Sequence, residues 1–297
     1  MNNITLTSWN TETRIIDLIQ DVAHLLNQQN LYYGHGTDNP KDEAVALVFF
    51  VLGLDHFNTK KLYDQKVQSK DFELVNELVI QRIKEKKPLS YITHESIFCG
   101  HKFFVDERVL IPRSPIAELI QNRFEPWINQ SLITSVLDIA TGSGCLAISI
   151  AKQYPNAEIV ASDISKAALE VAEINVENLS VSHQVTLVES NLFENINGTF
   201  DLIVSNPPYV SRDSIVNLAP EYHHEPSLAL VAEKDGLDFI ERILHDASPF
   251  LKDHGILVIE MGEAAEAAES YFNLPFTWIE LEHGGEGIAM IEAKHLK

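Results

Sequence analysis

Cysteine is scarce in this chain of 297 residues: Cys99 and Cys145 are too few for a disulfide framework and do not stand at metal-site spacing, so free thiols are expected. Histidine is more plentiful, with 12 residues, but no two are four apart, and His223 and His224 are adjacent, so no metal is expected. Long hydrophobic runs are lacking too. The longest, residues 44–54, covers 11 positions, against roughly 20 for a bilayer crossing, and reads as a buried helix rather than a membrane span. Residues 1–7 have neither the basic start nor the apolar core of an export signal, so a cytoplasmic protein is expected.

Positive charge is the other shortage. Lys and Arg number 22 against 43 Asp and Glu, for a net charge of −21. The excess is uneven: residues 1–95 are net −3, whereas residues 96–297 carry 12 basic and 30 acidic side chains, net −18. Such a surface repels phosphate backbones and attracts a basic partner, so direct nucleic-acid binding is not expected. What is present is globular: 45% of residues are hydrophobic and 22% charged, which excludes a disordered or low-complexity chain.

The first 95 residues read as helical. Ile15, Leu18, Ile19, Val22, Leu25 and Leu26 recur at three and four, the spacing of one helix face. A second helix is signalled by Asn39-Pro40, a capping residue before a proline at the first helical position, and a third by residues 71–87. Residues 91–112 change character: Phe98, Phe103, Phe104 and Val105 around Gly100-His101 suggest a hairpin between domains. From about residue 131 the pattern alternates strand and helix, as in a parallel α/β sheet, with strands expected at 133–139, 158–162, 185–188, 200–205, 256–261, 276–281 and 288–292. The last two are separated only by a turn at 283–287, so they are expected to pair antiparallel. The resulting division is a helical domain at 1–95, a linking hairpin at 96–122 and an α/β domain at 123–297.

Two stretches carry chemistry. In Asp138-Ile139-Ala140-Thr141-Gly142-Ser143-Gly144-Cys145 an apolar strand turns through small residues into a helix, where glycines let a nucleotide approach the backbone. Asp163, 19 residues after Gly144, is placed to accept from two ribose hydroxyls. The loop alone suits nicotinamide and adenosyl cofactors alike. Asp138 just ahead of the turn favours the latter, because its carboxylate would repel a pyrophosphate and attract the ammonium of S-adenosylmethionine. The second stretch, Asn206-Pro207-Pro208-Tyr209, follows the fourth strand of the sheet. Its prolines remove two N–H donors, so acceptors face a donor ligand such as an amide or aromatic amine. The Asn206 oxygen and the Pro207 carbonyl are placed to take the two protons of that nitrogen, and Tyr209 to stack on its planar group. The 210–236 span that follows is longer than ordinary loops and suggests a lid or substrate-binding loop.

Together these motifs resemble the class I S-adenosylmethionine-dependent methyltransferases, and Asn-Pro-Pro-Tyr resembles those that methylate adenine or protein glutamine. Pro88-Leu89-Ser90-Tyr91, Phe98-x-Gly100-x-x-Phe103, Val109-Leu110-Ile111-Pro112-Arg113 and Pro220-Glu221-Tyr222-His223-His224-Glu225-Pro226 are similar to the HemK/Prm glutamine methyltransferases over about residues 70–292. The resemblance implies a Rossmann-like catalytic domain with a reversed last strand, behind a small helical substrate-recognition domain and a hairpin. It implies S-adenosylmethionine at Asp138, Thr141, Gly142, Gly144, Asp163, Asn191, Leu192 and Asn206, and a substrate amide at Asn206, Pro207, Pro208 and Tyr209. Within the family, residues 105–118 and 221–226 are similar to the branch acting on large-subunit ribosomal protein number three, and less so to the branch acting on peptide-release factors. A basic ribosomal protein, free or in an assembling subunit, is thus the expected partner; adenine methylation and a non-catalytic assembly role are the remote alternatives, and the oligomeric state stays open. Where relatives often carry Ser-Asp after the third strand, this chain has Ser190-Asn191.

Overall fold

The computed structural model describes residues 9–55, 62–282 and 284–296; the opening segment 1–7 and His283 of the expected last turn lie outside them. The chain divides into two compact units. One holds the described residues up to Glu95 together with Ala219–His224, the other Ser96–Leu218 and the chain from Glu225 onward. The 96–122 stretch therefore belongs with the larger unit, and six residues of the long 210–236 span belong with the smaller.

The smaller unit is helical: α1 (Ile15–Asn27), α2 (Pro40–Leu52), α3 (Ser69–Glu85) and the short α4 (Leu89–Thr93). On α1 the expected face is the buried one, with Ile15, Leu18, Ile19, Val22 and Leu26 in the core. Burying each such side chain fully contributes roughly 1.5–3 kcal/mol. The Asn39 side chain caps α2 by accepting from the Lys41 and Asp42 N–H groups, and Gly53 ends it at φ 62°, a left-handed position that favours glycine. Arg82 of α3 is wholly buried among polar partners. It donates to Glu43 Oε1 at 2.7 Å, Glu221 Oε1 at 3.0 Å and the Tyr32 carbonyl at 2.8 Å. Glu221 also accepts from the Tyr32 N–H at 2.9 Å, so this ion cluster ties residues 219–224 into the helical unit.

The larger unit opens within a hairpin, β1 (Glu95–Phe98, whose first residue belongs to the smaller unit) and β2 (His101–Phe104), turning at Gly100 with φ 76°, and α5 (Ile116–Gln121) follows. There follow β3 (Ser135–Ile139), α6 (Cys145–Gln153), β4 (Glu158–Asp163), α7 (Lys166–Asn178), β5 (Val185–Glu189), β6 (Phe200–Ser205) and β7 (Val210–Ser211). The chain continues through α8 (Arg212–Ile215), α9 (Ser227–Leu230), β8 (Val231–Ala232), α10 (Asp238–Asp246), β9 (Leu251–Glu260), α11 (Ala265–Tyr271), β10 (Thr277–Trp278) and β11 (Ile288–Glu292). Seven strands form one sheet in the order β10-β11-β9-β6-β3-β4-β5. The five from β5 to β9 are parallel, while β11 runs antiparallel to both β9 and β10, as the short last turn required. All six residues of β6 are buried, as a central strand covered on both faces demands. The 210–236 span is not an open loop: β7 and β8 pair in parallel, with helical turns between them.

Candidate active site

The sheet order puts β3 beside β6, and the parallel strands run outward from that pair in opposite directions of sequence. This is a topological switch point, and a crevice opens outside the carboxyl ends of the two strands. Ile139, the last residue of β3, pairs with Ser205, the last of β6, so both chemistry-bearing stretches leave the sheet at one level. One cleft there is lined by Thr141 and Gly142 after β3, Asp163 after β4, Asn191 and Leu192 after β5, and Asn206, Pro207 and Pro208 after β6.

The turn after β3 is fixed from below and from the side. Asp138 does not line the cleft; it is fully buried under the turn, where Oδ2 accepts from Thr141 Oγ1 at 2.6 Å and from the Ala147 N–H at 3.1 Å. Its Oδ1 is buried without a hydrogen-bond partner. Burial, with the nearby charge of Asp163, pushes the Asp138 carboxyl up to about 7, against hydrogen bonds that oppose the shift. Asp163 accepts from the Gly142 N–H at 2.9 Å and from the Ser165 N–H at 2.8 Å, and burial raises it as well. Gly142 sits at φ 55° with open space where a Cβ would be, so its backbone is accessible from the cleft. Gly144 has another role: a Cβ there would stand 3.1 Å from Ile148 Cδ1 and 3.4 Å from Ala172 Cβ, so it allows α6 and α7 to pack closely and does not line the cleft. Ala140, at φ 59°, holds a left-handed conformation at a cost of about 1 kcal/mol. Cys145 shares the cleft, but burial raises its thiol, which makes it a packing residue rather than a nucleophile.

The stretch after β6 divides likewise. Asn206, half-buried, and both prolines line the cleft. Tyr209, half-buried, donates from its hydroxyl to Glu260 Oε1 at 3.1 Å, and its ring lies against Gly262. After β5, Asn191 is held on both sides, its oxygen accepting from Arg242 Nη2 at 3.0 Å and its amide donating to Glu194 Oε1 at 2.6 Å. Next to it Leu192 is buried at φ 53°. Arg113 also lines the cleft and grips Glu225 with both guanidinium nitrogens. Sequence reading did not find Glu260, Ser114, Arg242 or the Glu225 contact, because each joins segments far apart in the chain.

A fully buried Asp138 and a half-buried Asp163 beside an accessible glycine turn suit a cationic ligand without phosphate. The partnerless Asp138 oxygen below the turn and the open space at Gly142 fit S-adenosylmethionine on these grounds. Fold and site together define a class I methyltransferase. In agreement, residues 119–222 match the methyltransferase small domain. Over 281 residues the chain is 43% identical to the ribosomal protein uL3 glutamine methyltransferase of Neisseria gonorrhoeae, covering 94% of each chain. The enzyme of that name from Neisseria meningitidis serogroup B is also 43% identical, over 94% of this chain and 92% of its own. A solved T. thermophilus 16S rRNA methyltransferase in complex with AdoMet and guanosine aligns with 67% of this chain and 49% of its own, at 17% identity and a TM-score of 0.47. The chain belongs to the family of ribosomal protein uL3 glutamine methyltransferases. Among the described residues no three His, Cys, Asp or Glu side chains gather as a metal site, and no helix is long and apolar enough to cross a membrane.

Proposed function

We propose that the protein moves a methyl group from S-adenosylmethionine to the side-chain amide nitrogen of a glutamine in ribosomal protein uL3, the substrate its relatives' names state for them. The observation that carries this reading is that Asn206, Pro207 and Pro208 line the same cleft as Gly142 and Asp163. When bound, S-adenosylmethionine supplies an electrophilic methyl group on a sulfonium. Asp163 would accept from its ribose hydroxyls, the Thr141-Gly142 turn would carry its amino-acid end, and Asn191 and Leu192 would border its adenine. Asp138 acts from beneath, holding the turn through Thr141 and Ala147.

A glutamine amide is a weak nucleophile, because its nitrogen lone pair is delocalised into the carbonyl. Asn206 Oδ1 and the Pro207 carbonyl accept its two N–H protons, which concentrates electron density on nitrogen and aims it at the methyl carbon. Transfer would exchange the S–C bond of the donor for the new N–C bond, and the proton lost from nitrogen would pass to water. The rate comes from placement and electrostatics. The helical unit recognises the substrate, and the acidity of residues 96–297, net −18, complements a basic ribosomal protein, free or in an assembling large subunit.

The test incubates the protein with labelled S-adenosylmethionine and, separately, unmodified uL3, an unmodified release factor and unmethylated DNA, and locates the methyl group by mass spectrometry. Label on a glutamine of uL3 alone is the expected result. Label on the release factor would replace the substrate, and label on DNA would replace the acceptor chemistry.

A further inference from the structure

Tyr209 is surrounded as an anchor is. Its hydroxyl donates to one oxygen of Glu260 at 3.1 Å, and the other oxygen accepts from Ser114 Oγ at 2.5 Å. Glu260 is only 4% exposed and ends β9, the strand that pairs with β6 up to Ser205 and Ile259. A Cβ on Gly262 would stand 2.4 Å from Tyr209 Cε2, and one on Gly236 would stand 2.3 Å from the Tyr209 carbonyl oxygen. Gly262 is itself pressed by Gly287, where a Cβ would lie 2.4 Å from the Gly262 carbonyl oxygen. Three glycines and one buried carboxyl group thus form a socket for Tyr209. At the other end of the motif Ser205 Oγ donates to the Ile139 carbonyl at 2.9 Å, fixing the end of β6 against β3. Asn206, Pro207 and Pro208 are strung between these two fixed points, and the prolines restrict the main chain further.

We propose that Glu260 is a positioning residue for methyl transfer: by holding the Tyr209 hydroxyl it fixes residues 206–208 and so aims the Asn206 amide and the Pro207 carbonyl at the acceptor nitrogen. The inference rests on the role given above to Asn206 and Pro207. A carboxyl group suits the socket because it offers one oxygen to each of two hydroxyls. Burial raises Glu260 while the Ser114 and Tyr209 hydrogen bonds oppose the shift. Glutamine at this position keeps one acceptor oxygen for the Tyr209 hydroxyl, and its NH2 group can donate to the Ser114 hydroxyl oxygen. A misaimed acceptor costs turnover steeply, since a displacement of about 1 Å is worth on the order of 100-fold in rate.

The experiment compares Tyr209→Phe, Glu260→Ala, Glu260→Gln and the Tyr209→Phe/Glu260→Ala double variant. It measures kcat and KM on uL3, the S-adenosylmethionine dissociation constant by calorimetry, and hydrogen exchange at the Asn206 and Tyr209 N–H groups. Tyr209→Phe is expected to lower kcat by roughly 10- to 100-fold, leave cofactor affinity unchanged and speed exchange at both amides. Glu260→Gln is expected to restore most of the kcat lost in Glu260→Ala, and the double variant to be no worse than Glu260→Ala, because both changes break one bond. An unchanged kcat with unchanged exchange in Tyr209→Phe would overturn the inference, as would additive losses in the double variant or a loss confined to cofactor affinity. If the wild-type protein methylates none of the acceptors, the functional reading falls, while the exchange comparison, which needs no acceptor, still decides whether the anchor exists.

Discussion

Arg113 and Glu225 form a two-pronged ion pair, with Nη1 and Nη2 donating to Oε1 and Oε2 at 2.6 and 2.8 Å. The same Oε1 accepts from the Ile111 N–H at 3.1 Å, so the buried Glu225 side chain holds both the guanidinium and the backbone of the cleft wall. Such geometry is what a fork-shaped donor and a carboxylate make best.

Arg113→Met should therefore be costly. It leaves a buried carboxylate without its main charge partner, a loss of about 3 kcal/mol. Urea unfolding is the check, and a change within experimental error would show that the pair contributes little to stability.

The parts of this architecture legible in the sequence are those written in contiguous residues. The α1 face, the Asn39 cap, the glycine turn from Thr141 to Gly144 and the Asn206–Pro208 stretch each depend on neighbours a few positions away, and periodicity and turn chemistry expose them. Illegible were the pairings across the chain: Arg113 with Glu225 is separated by 112 residues, Arg82 with Glu221 by 139, and Tyr209 with Glu260 by 51. Direction was illegible too. Asp138 and Gly144 stand in the turn as expected, but one lies beneath it and the other faces Ala172. Spacing along a chain does not say which side of a turn a residue occupies.

Asp163→Ala should weaken S-adenosylmethionine binding by roughly 10- to 100-fold, the worth of hydrogen bonds to a charged group. Part of that loss is indirect, since the Gly142 and Ser165 N–H groups also lose their acceptor. Calorimetry decides; an unchanged dissociation constant would remove Asp163 from the cofactor site.

Asp138 gives the free protein a signature at neutral pH. Its folded value of about 7 lies above the 3.8 of an ordinary aspartate, so folding favours the protonated form. The stability this contributes is full below about pH 4 and is lost as the pH rises through 7, in total on the order of 4 kcal/mol. Asp138→Asn cannot ionise. The melting temperature of the variant should therefore gain on that of the wild type between pH 5 and 8, and a constant difference across that range would contradict the burial argument.

Asp201 has the opposite sign, at the far end of the strands. Burial alone would raise it, but donors from Lys252, Thr134 and His254 hold it well below the usual range. Its stabilising contribution is present above about pH 4 and is lost as the pH falls below that. Asp201→Asn should cost about 2–3 kcal/mol at pH 7 and much less at pH 2, without changing cofactor affinity, as chemical unfolding at the two pH values would show.

The most direct test of the account is Asn206→Ala, measured for turnover on uL3 and for S-adenosylmethionine affinity in the same preparation. If Asn206 aims the acceptor nitrogen, kcat should fall by about 100- to 1000-fold while the cofactor dissociation constant moves by less than about two-fold. Parallel losses in both, or turnover close to that of the wild type, would contradict the role on which the proposed function depends.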